Sequence, residues 1–393
     1  RCRIPGPTPA FPEHAFPMTP TEVRTHIRFN RYERKACRQG GSTILDHMTT
    51  ADTARDMDLI RQAVGEDQLS YYGISYGTYL GATYARLFPH QVRALIVDGV
   101  LDPVAWSTGR NGSGTVIPFS TRLGSGRGAA DAMLSALALC DQVGQERCAF
   151  AGNARHKWRQ LTNRLRKEPL EFPDGSTLAY ADLIDGVLGG LYSSSDYRFL
   201  MRDLQRLWTR TNPPTKAVVA DDEIRAVRDR LVQRERRLPY GYGLPFFPSF
   251  EGVACSDTLN PSDPAAWQRA ADRSEATQPW FGRLWTWVSA ACPNWPGSAA
   301  DAFRGPWHGT TANPVLLVGN AHDPATPFSG AAALHQLLDG SRLFRLDGWG
   351  HGALGESRCV TKVFDAYLVQ GTLPAVGTVC EPDDLLFPVR HST

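Results

Sequence analysis

The segment Gly73-Ile74-Ser75-Tyr76-Gly77 sets a serine at the centre of a G-x-S-x-G pattern, between a predicted strand and a predicted helix. A serine there acts as a nucleophile when the chain turns sharply around it and its hydroxyl stands clear of the backbone. Glycines two before and two after leave room where Cβ atoms would collide. The plainer reading is a glycine-rich turn with an ordinary surface serine. A serine hydroxyl is a weak nucleophile at neutral pH, so it needs a neutral imidazole to take its proton and a carboxylate to orient that imidazole. Asp323 in GNAHDPATP and His351 in DGWGHGAL supply those types, each just after an apolar run. Carboxyl ends of strands are where open α/β sheets carry their sites. Of the ten histidines only His322 and His351 fall there. His322 adjoins the acid and should point the other way, which leaves His351 as the expected base. Asp347 is the rival acid, but four residues before the histidine it reads as a loop cap. The backbone N–H of Tyr76 is the expected oxyanion donor.

The elements that must position these groups follow from periodicity. Residues 49–64 predict a helix, opened by Thr49 and Asp52 as a capping box and closed by Gly65. LSYYGIS (69–75) predicts a strand, 76–88 a helix closed by Pro89, and RALIVDGV (93–100) a strand buried on both faces. After Pro103 the character changes: nine of the ten tryptophans lie between Trp106 and Trp307, and 129–143, 154–167, 196–209 and 220–236 read as helices. Strand, helix and strand return at 314–320, 331–338 and 341–348, with a last helix near 357–370. The six prolines of residues 1–20 suggest an extended surface run. The expected class is α/β: a sheet with a large, mainly helical cap inserted between the strand after the serine-bearing helix and the acid-bearing strand. The predicted division is 1–103, 104–310 and 311–393.

Composition narrows the partners. The chain has 393 residues, 42% hydrophobic and 21% charged, with a net charge of +2. That is an ordinary globular balance and no electrostatic footprint for nucleic acid. No run approaches the ~18 apolar residues of a membrane helix. No P-loop, dinucleotide fingerprint or zinc-type Cys/His spacing occurs, so no cofactor and no metal are expected. The eight cysteines allow 105 connectivities. The expectation is the sequential set Cys2–Cys37, Cys140–Cys148, Cys255–Cys292 and Cys359–Cys380, and with it export to an oxidising compartment. Free buried thiols in a cytosolic protein are the alternative. The first residue is Arg1 rather than Met, and a processed or truncated chain is expected.

ADTARDMDLIRQAVGEDQLSYYGISYGTYLGATYARLFPHQVRALIVDGVLDP (51–103) resembles the secreted bacterial tripeptidyl-aminopeptidase-like serine proteases of the α/β-hydrolase fold, relatives of prolyl iminopeptidase. The resemblance resumes in NPVLLVGNAHDPATP, GWGHGALGESRCV and GTLPAVGTVC, and more loosely in FEGVACSD (250–257). It implies Ser75 as nucleophile, Asp323 as acid and His351 as base, in a secreted exopeptidase that removes short peptides from free N-termini. An ammonium group needs carboxylates in a partly dry pocket. Glu251 and Asp257 are the candidates, whereas Asp221, Asp222 and Glu223 read as a solvated helix start. Trp280, Trp285, Trp287 and Trp307 read as core that also lines a cleft.

The family's upstream strands, and the Gly-Gly-Pro-Gly loop that carries a second oxyanion donor, have no counterpart in this sequence. A companion N-terminal chain or segment is therefore expected to complete the sheet and the oxyanion hole. Two rival functions remain: an esterase or other acyl hydrolase with the same triad, and a non-catalytic protein on the same fold.

Overall fold

The computed structural model describes residues 2, 4, 6–41, 43–212, 219–236 and 249–389. Its sheet is built from β1 (Leu69–Ile74) and β2 (Val92–Asp98), then, beyond the two-stranded hairpin of β3 (Leu170–Glu171) and β4 (Thr177–Leu178), from β5 (Leu316–His322), β6 (Arg342–Trp349) and β7 (Val379–Cys380). All pairings in the order β1-β2-β5-β6-β7 are parallel. Register decides what this sheet can do. Ile74 lies opposite Asp98 and Asp98 opposite Val318, while His322 lies opposite Trp349. The loops after four strands therefore leave along one edge, carrying Ser75, Gly99, Asp323 and His351. The short β7 is a strand that sequence periodicity misses, since two residues carry no period.

Among the described residues three α-helices precede the second strand: α1 (Pro20–Gly40), α2 (Thr50–Ala63) and α3 (Tyr76–Leu87). Thr19 with Glu22 opens α1, and Thr49 with Asp52 opens α2, both as capping boxes. The inward face of α1 carries His26, Asn30, Glu33 and Arg34 beside Phe29, so few apolar residues mark it in the sequence. Phe16 corrects the expected surface run at the N-terminus. It is fully buried, edge-on to Tyr180, because an aromatic ring gains more from core than from water.

Between β2 and β5 run α4 (Pro103–Ser107), α5 (Phe119–Arg122), α6 (Ser125–Val143), α7 (Ala154–Lys167), α8 (Tyr180–Leu191), α9 (Tyr197–Thr211), α10 (Asp221–Glu235), α11 (Ser249–Asp257), α12 (Ala265–Thr277) and α13 (Gly282–Trp287). α14 (Phe328–His335) and α15 (Arg358–Gln370) follow β5 and β6. α8 escapes the sequence reading because three glycines interrupt it. Packing explains them: a Cβ at Gly186 or Gly189 would stand 2.6 Å or less from α10 atoms at Leu231 and Arg234. One buried cluster runs from Leu95 and Val97 of the sheet through Trp106 to Ile184 and Trp267, so the inserted helices share the core of the sheet.

The cysteines pair as Cys2–Cys37, Cys140–Cys148, Cys255–Cys292 and Cys359–Cys380. The last ties α15 to β7. Among the described residues no strand pairs with the outer edge of β1, and Leu59, Ile60, Val64 and Ile74 are exposed. No described helix is long and apolar enough to cross a membrane.

Candidate active site

Ser75 sits between β1 and α3 at φ 58°, ψ −124°, a left-handed conformation that strains a residue with a Cβ by ~1–3 kcal/mol. The turn is held from both sides. Ser75 N–H donates to the Asp98 carbonyl at 3.0 Å, and the Ser75 carbonyl accepts from the Thr78 hydroxyl at 2.6 Å. A Cβ at Gly73 would lie 2.4 Å from the Gly77 carbonyl oxygen, which is why the first glycine of the motif is needed. Tyr76 is the first residue of α3, so its N–H has no intrahelical acceptor and is free to meet an anion.

Asp323 is buried at the end of β5 and accepts from the N–H groups of Ala325 and Thr326, both at 2.8 Å, and from the Thr326 hydroxyl at 2.9 Å. His351 Nδ1 stands 2.9 and 3.0 Å from its two carboxylate oxygens. A carboxylate on Nδ1 draws the proton to that nitrogen and leaves Nε2 as an acceptor. Nε2 is buried and makes no hydrogen bond, so no bond joins it to Ser75 Oγ. Burial works to lower the imidazole pKa, but the charge and hydrogen bond of Asp323, with Asp98 adding, outweigh it and hold His351 above the ordinary 6.5. Gly99, at φ 61°, packs against the ring, where an added Cβ would lie 3.1 Å from Cε1. Gly352 approaches Ile74 still more closely, so the histidine loop lies on the serine turn.

Several groups that the sequence reading passed over hold this loop. Asp98 accepts from Ala353 N–H at 2.8 Å, Leu354 N–H at 3.2 Å and the Tyr72 hydroxyl at 2.9 Å. Asn320 donates to the carbonyls of Gly350 and Gly352. From the inserted helices, the Tyr192 carbonyl accepts from His351 N–H at 2.9 Å, and the Tyr192 ring stands edge-on to the imidazole at 5.2 Å. Asp98 at the end of an apolar strand was a usable signal; Tyr192 offered none.

The other side chains that the sequence singles out have partners of their own. Asp347 is half exposed and pairs with Arg345, and His322 binds Asp131 and stacks on Trp349. Asp221 and Glu223 open α10 and pair with Arg210 and Arg206. Trp280, Trp285, Trp287 and Trp307 are buried as core. The two ammonium-binding candidates differ. Asp257 is 1% exposed with both oxygens engaged by Thr50, at 2.8 Å from its N–H and 2.5 Å from its hydroxyl, which leaves it no free oxygen for a ligand. Burial pushes its carboxyl up to about 6. Glu251 keeps Oε2 buried and unpartnered, and burial pushes it up to about 7. Glu33 of α1 lies within its field. Burial, with the charge of Glu251, drives Glu33 up to about 9 against the opposing pull of Arg34.

A serine on a strained strand-to-helix turn, an acid two strands away and a histidine on the next strand, along one edge of a parallel sheet, define an α/β-hydrolase. The comparisons agree. A family model described as alpha/beta hydrolase fold matches residues 25–118, and one described as TAP-like protein matches 278–380. A tripeptidyl aminopeptidase of Streptomyces lividans is 29% identical over 374 residues, 93% of this chain and 64% of its own length. Serine protease Hip1 of Mycobacterium tuberculosis is 29% identical over 356 residues, 86% of this chain and 63% of its own length. Carboxylesterase B of the same organism is 28% identical over 349 residues, 87% and 62%. The chain thus spans less than two thirds of these curated relatives. It is similar to the tripeptidyl-aminopeptidase-like α/β-hydrolases over most of its length.

Proposed function

We propose that this chain is a serine hydrolase that cleaves peptide bonds near free N-termini through Ser75, His351 and Asp323. The observation that carries the reading is the 2.9 Å contact of His351 Nδ1 with Asp323, on a loop packed against the Ser75 turn. In this mechanism Nε2 takes the Ser75 proton as Oγ bonds to the substrate carbonyl carbon. The carbonyl electron pair moves onto oxygen, facing the Tyr76 N–H. Collapse of the adduct breaks the C–N bond, and the leaving amine takes the proton from Nε2. Water deprotonated by Nε2 then attacks the acyl-Ser75 ester and releases the short N-terminal product. Peptide is the substrate class; the inserted helices, residues 104–310 between 1–103 and 311–393, act as the cap that limits access to chain ends. Glu251, with Glu33 beside it, is the carboxylate left for a substrate ammonium group.

Four disulfides support export, since such bonds persist in oxidising compartments. The open outer edge of β1, flanked by exposed Leu59, Ile60 and Val64, supports a companion segment that adds a parallel strand and the second oxyanion donor. Native preparations should show a second polypeptide on denaturing electrophoresis; a fully active monomer of residues 1–393 alone would overturn that part.

A second reading, an esterase, is favoured by the relative named carboxylesterase B. The test is a panel of tripeptide p-nitroanilides with free or acetylated N-termini and p-nitrophenyl butyrate, with fluorophosphonate labelling of Ser75 measured on a separate sample. Turnover of free peptides alone supports the peptidase. Turnover of the ester alone supports the esterase, and no labelling supports a non-catalytic protein.

A further inference from the structure

Beside the nucleophile lies a cleft of about 230 Å³ lined by Tyr76, Trp106, Ser249, Phe250, Val253 and Ala254. It is smaller than the ~300–1,000 Å³ of sites that enclose a whole drug-sized ligand, so it suits one side chain. Its wall begins at Tyr76, one Cα step of ~3.8 Å from Ser75. The residue whose N–H faces the developing oxyanion thus also presents its ring to this cleft. A substrate carbonyl held at that N–H carries its own Cα and side chain within reach of it.

The walls are fixed before any ligand arrives. Tyr76 and Trp106 have ring centres 6.0 Å apart, and Trp106 packs in turn on Tyr79 and Phe119. The Tyr76 hydroxyl is 2.6 Å from the Thr50 hydroxyl, which is bonded to Asp257 on α11. Arg304 donates to the carbonyls of Ser256 and Asp257, and Cys255–Cys292 anchors the same helix. Asp257 therefore acts as a positioning residue. It ties the helix that bears Phe250, Val253 and Ala254 to the residue that follows the nucleophile. Among the described residues no charged side chain lines the cleft, so a charged occupant would lose its hydration without gaining a counter-ion there.

We propose that this cleft is the subsite for the side chain of the acyl residue, the one whose carbonyl Ser75 attacks, and that it selects aliphatic and aromatic side chains over charged ones. The proposal rests on the serine-hydrolase reading above and deepens it. The test uses the full-length protein and Ala-Ala-X p-nitroanilides with X as Ala, Leu, Phe, Asp or Lys. Wild type should favour Leu or Phe over Asp and Lys by at least ~10-fold in kcat/KM, the range a single apolar contact gives. Val253→Trp should lower the Leu-to-Ala ratio of kcat/KM by at least ~10-fold by filling the cleft, and Val253→Ala should raise the Phe-to-Leu ratio. A preference for Asp or Lys, or ratios that neither variant moves, overturns the subsite while fluorophosphonate labelling of Ser75 keeps the hydrolase reading. Absence of labelling in wild type overturns both.

Discussion

Two buried carboxylates, Asp98 at the end of β2 and Asp203 in the middle of α9, are equally hidden from water and have opposite kinds of partner. Asp98 accepts from two loop amides and a tyrosine hydroxyl. Asp203 is surrounded by the guanidinium groups of Arg206, Arg230 and Arg234, at 3.4, 2.6 and 2.9 Å. Amides of one loop fix that loop, and here the loop carries His351. Guanidinium groups from two helices join those helices, α9 to α10. A buried charge alone does not mark a site; what matters is whether its partners belong to the scaffold or to a loop that carries chemistry. Asp323 resembles Asp98 in this, held by the amides of residues 325 and 326.

The comparison can be broken by mutation. The largest effect is expected at the proposed nucleophile: Ser75→Ala should cut kcat by ~10⁶-fold with an unchanged unfolding curve, the scale seen when a triad serine is lost. Asp323→Asn should cost ~10⁴-fold, because the wrong imidazole tautomer then faces the serine. The same change carries a pH signature. His351 must be neutral to act as base, and its pKa is held above 6.5. In wild type kcat/KM should therefore rise with pH through an apparent pKa above 6.5, and in Asp323→Asn that limb should move to lower pH. A limb that stays in place would mean that another acid serves the histidine.

Smaller effects sharpen the contrast. Asp98→Ala should lower kcat by ~10²-fold at temperatures where the variant is folded, since freeing the 353–354 amides shifts the histidine loop. Asp203→Ala should instead lose about 3 kcal/mol in a denaturant titration, by leaving guanidinium charge uncompensated, while Ser75 labels at the wild-type rate. Equal losses of activity per unit of lost stability in the two variants would erase the distinction. Asp347→Asn should be the smallest change, within ~0.5 kcal/mol and with unaltered kinetics, since its carboxylate is half exposed and pairs with the half-exposed Arg345 at 3.4 Å.

Legibility in the sequence follows from how far apart the cooperating residues lie. The Ser75 turn, the capping box at Thr49 and the buried run of β2 depend on sterics and periodicity within a few residues. The order serine, acid, histidine could be placed because strand ends carry sites and the apolar runs of β5 and β6 mark those ends. Helix α1 was hidden because its inward face is polar, and α8 because its glycines fit a partner helix rather than a local turn.

By itself, then, the sequence determined the strained turn at Ser75, the alternation of strands and helices around it, and the placing of Asp323 and His351 at strand ends. It also held the sequential cysteine pairs, which join neighbours along the chain. Only the tertiary structure decided what each remaining polar group serves. It joined Asp98 to amides 255 residues away, set Tyr192 against His351, and spent Asp257 on Thr50 across 207 residues. Such pairings depend on which faces meet when helices pack on the sheet. No local pattern encodes them, because a carboxylate in a helix looks the same in sequence whether it meets a solvent molecule, a ligand or the N-terminus of a distant helix.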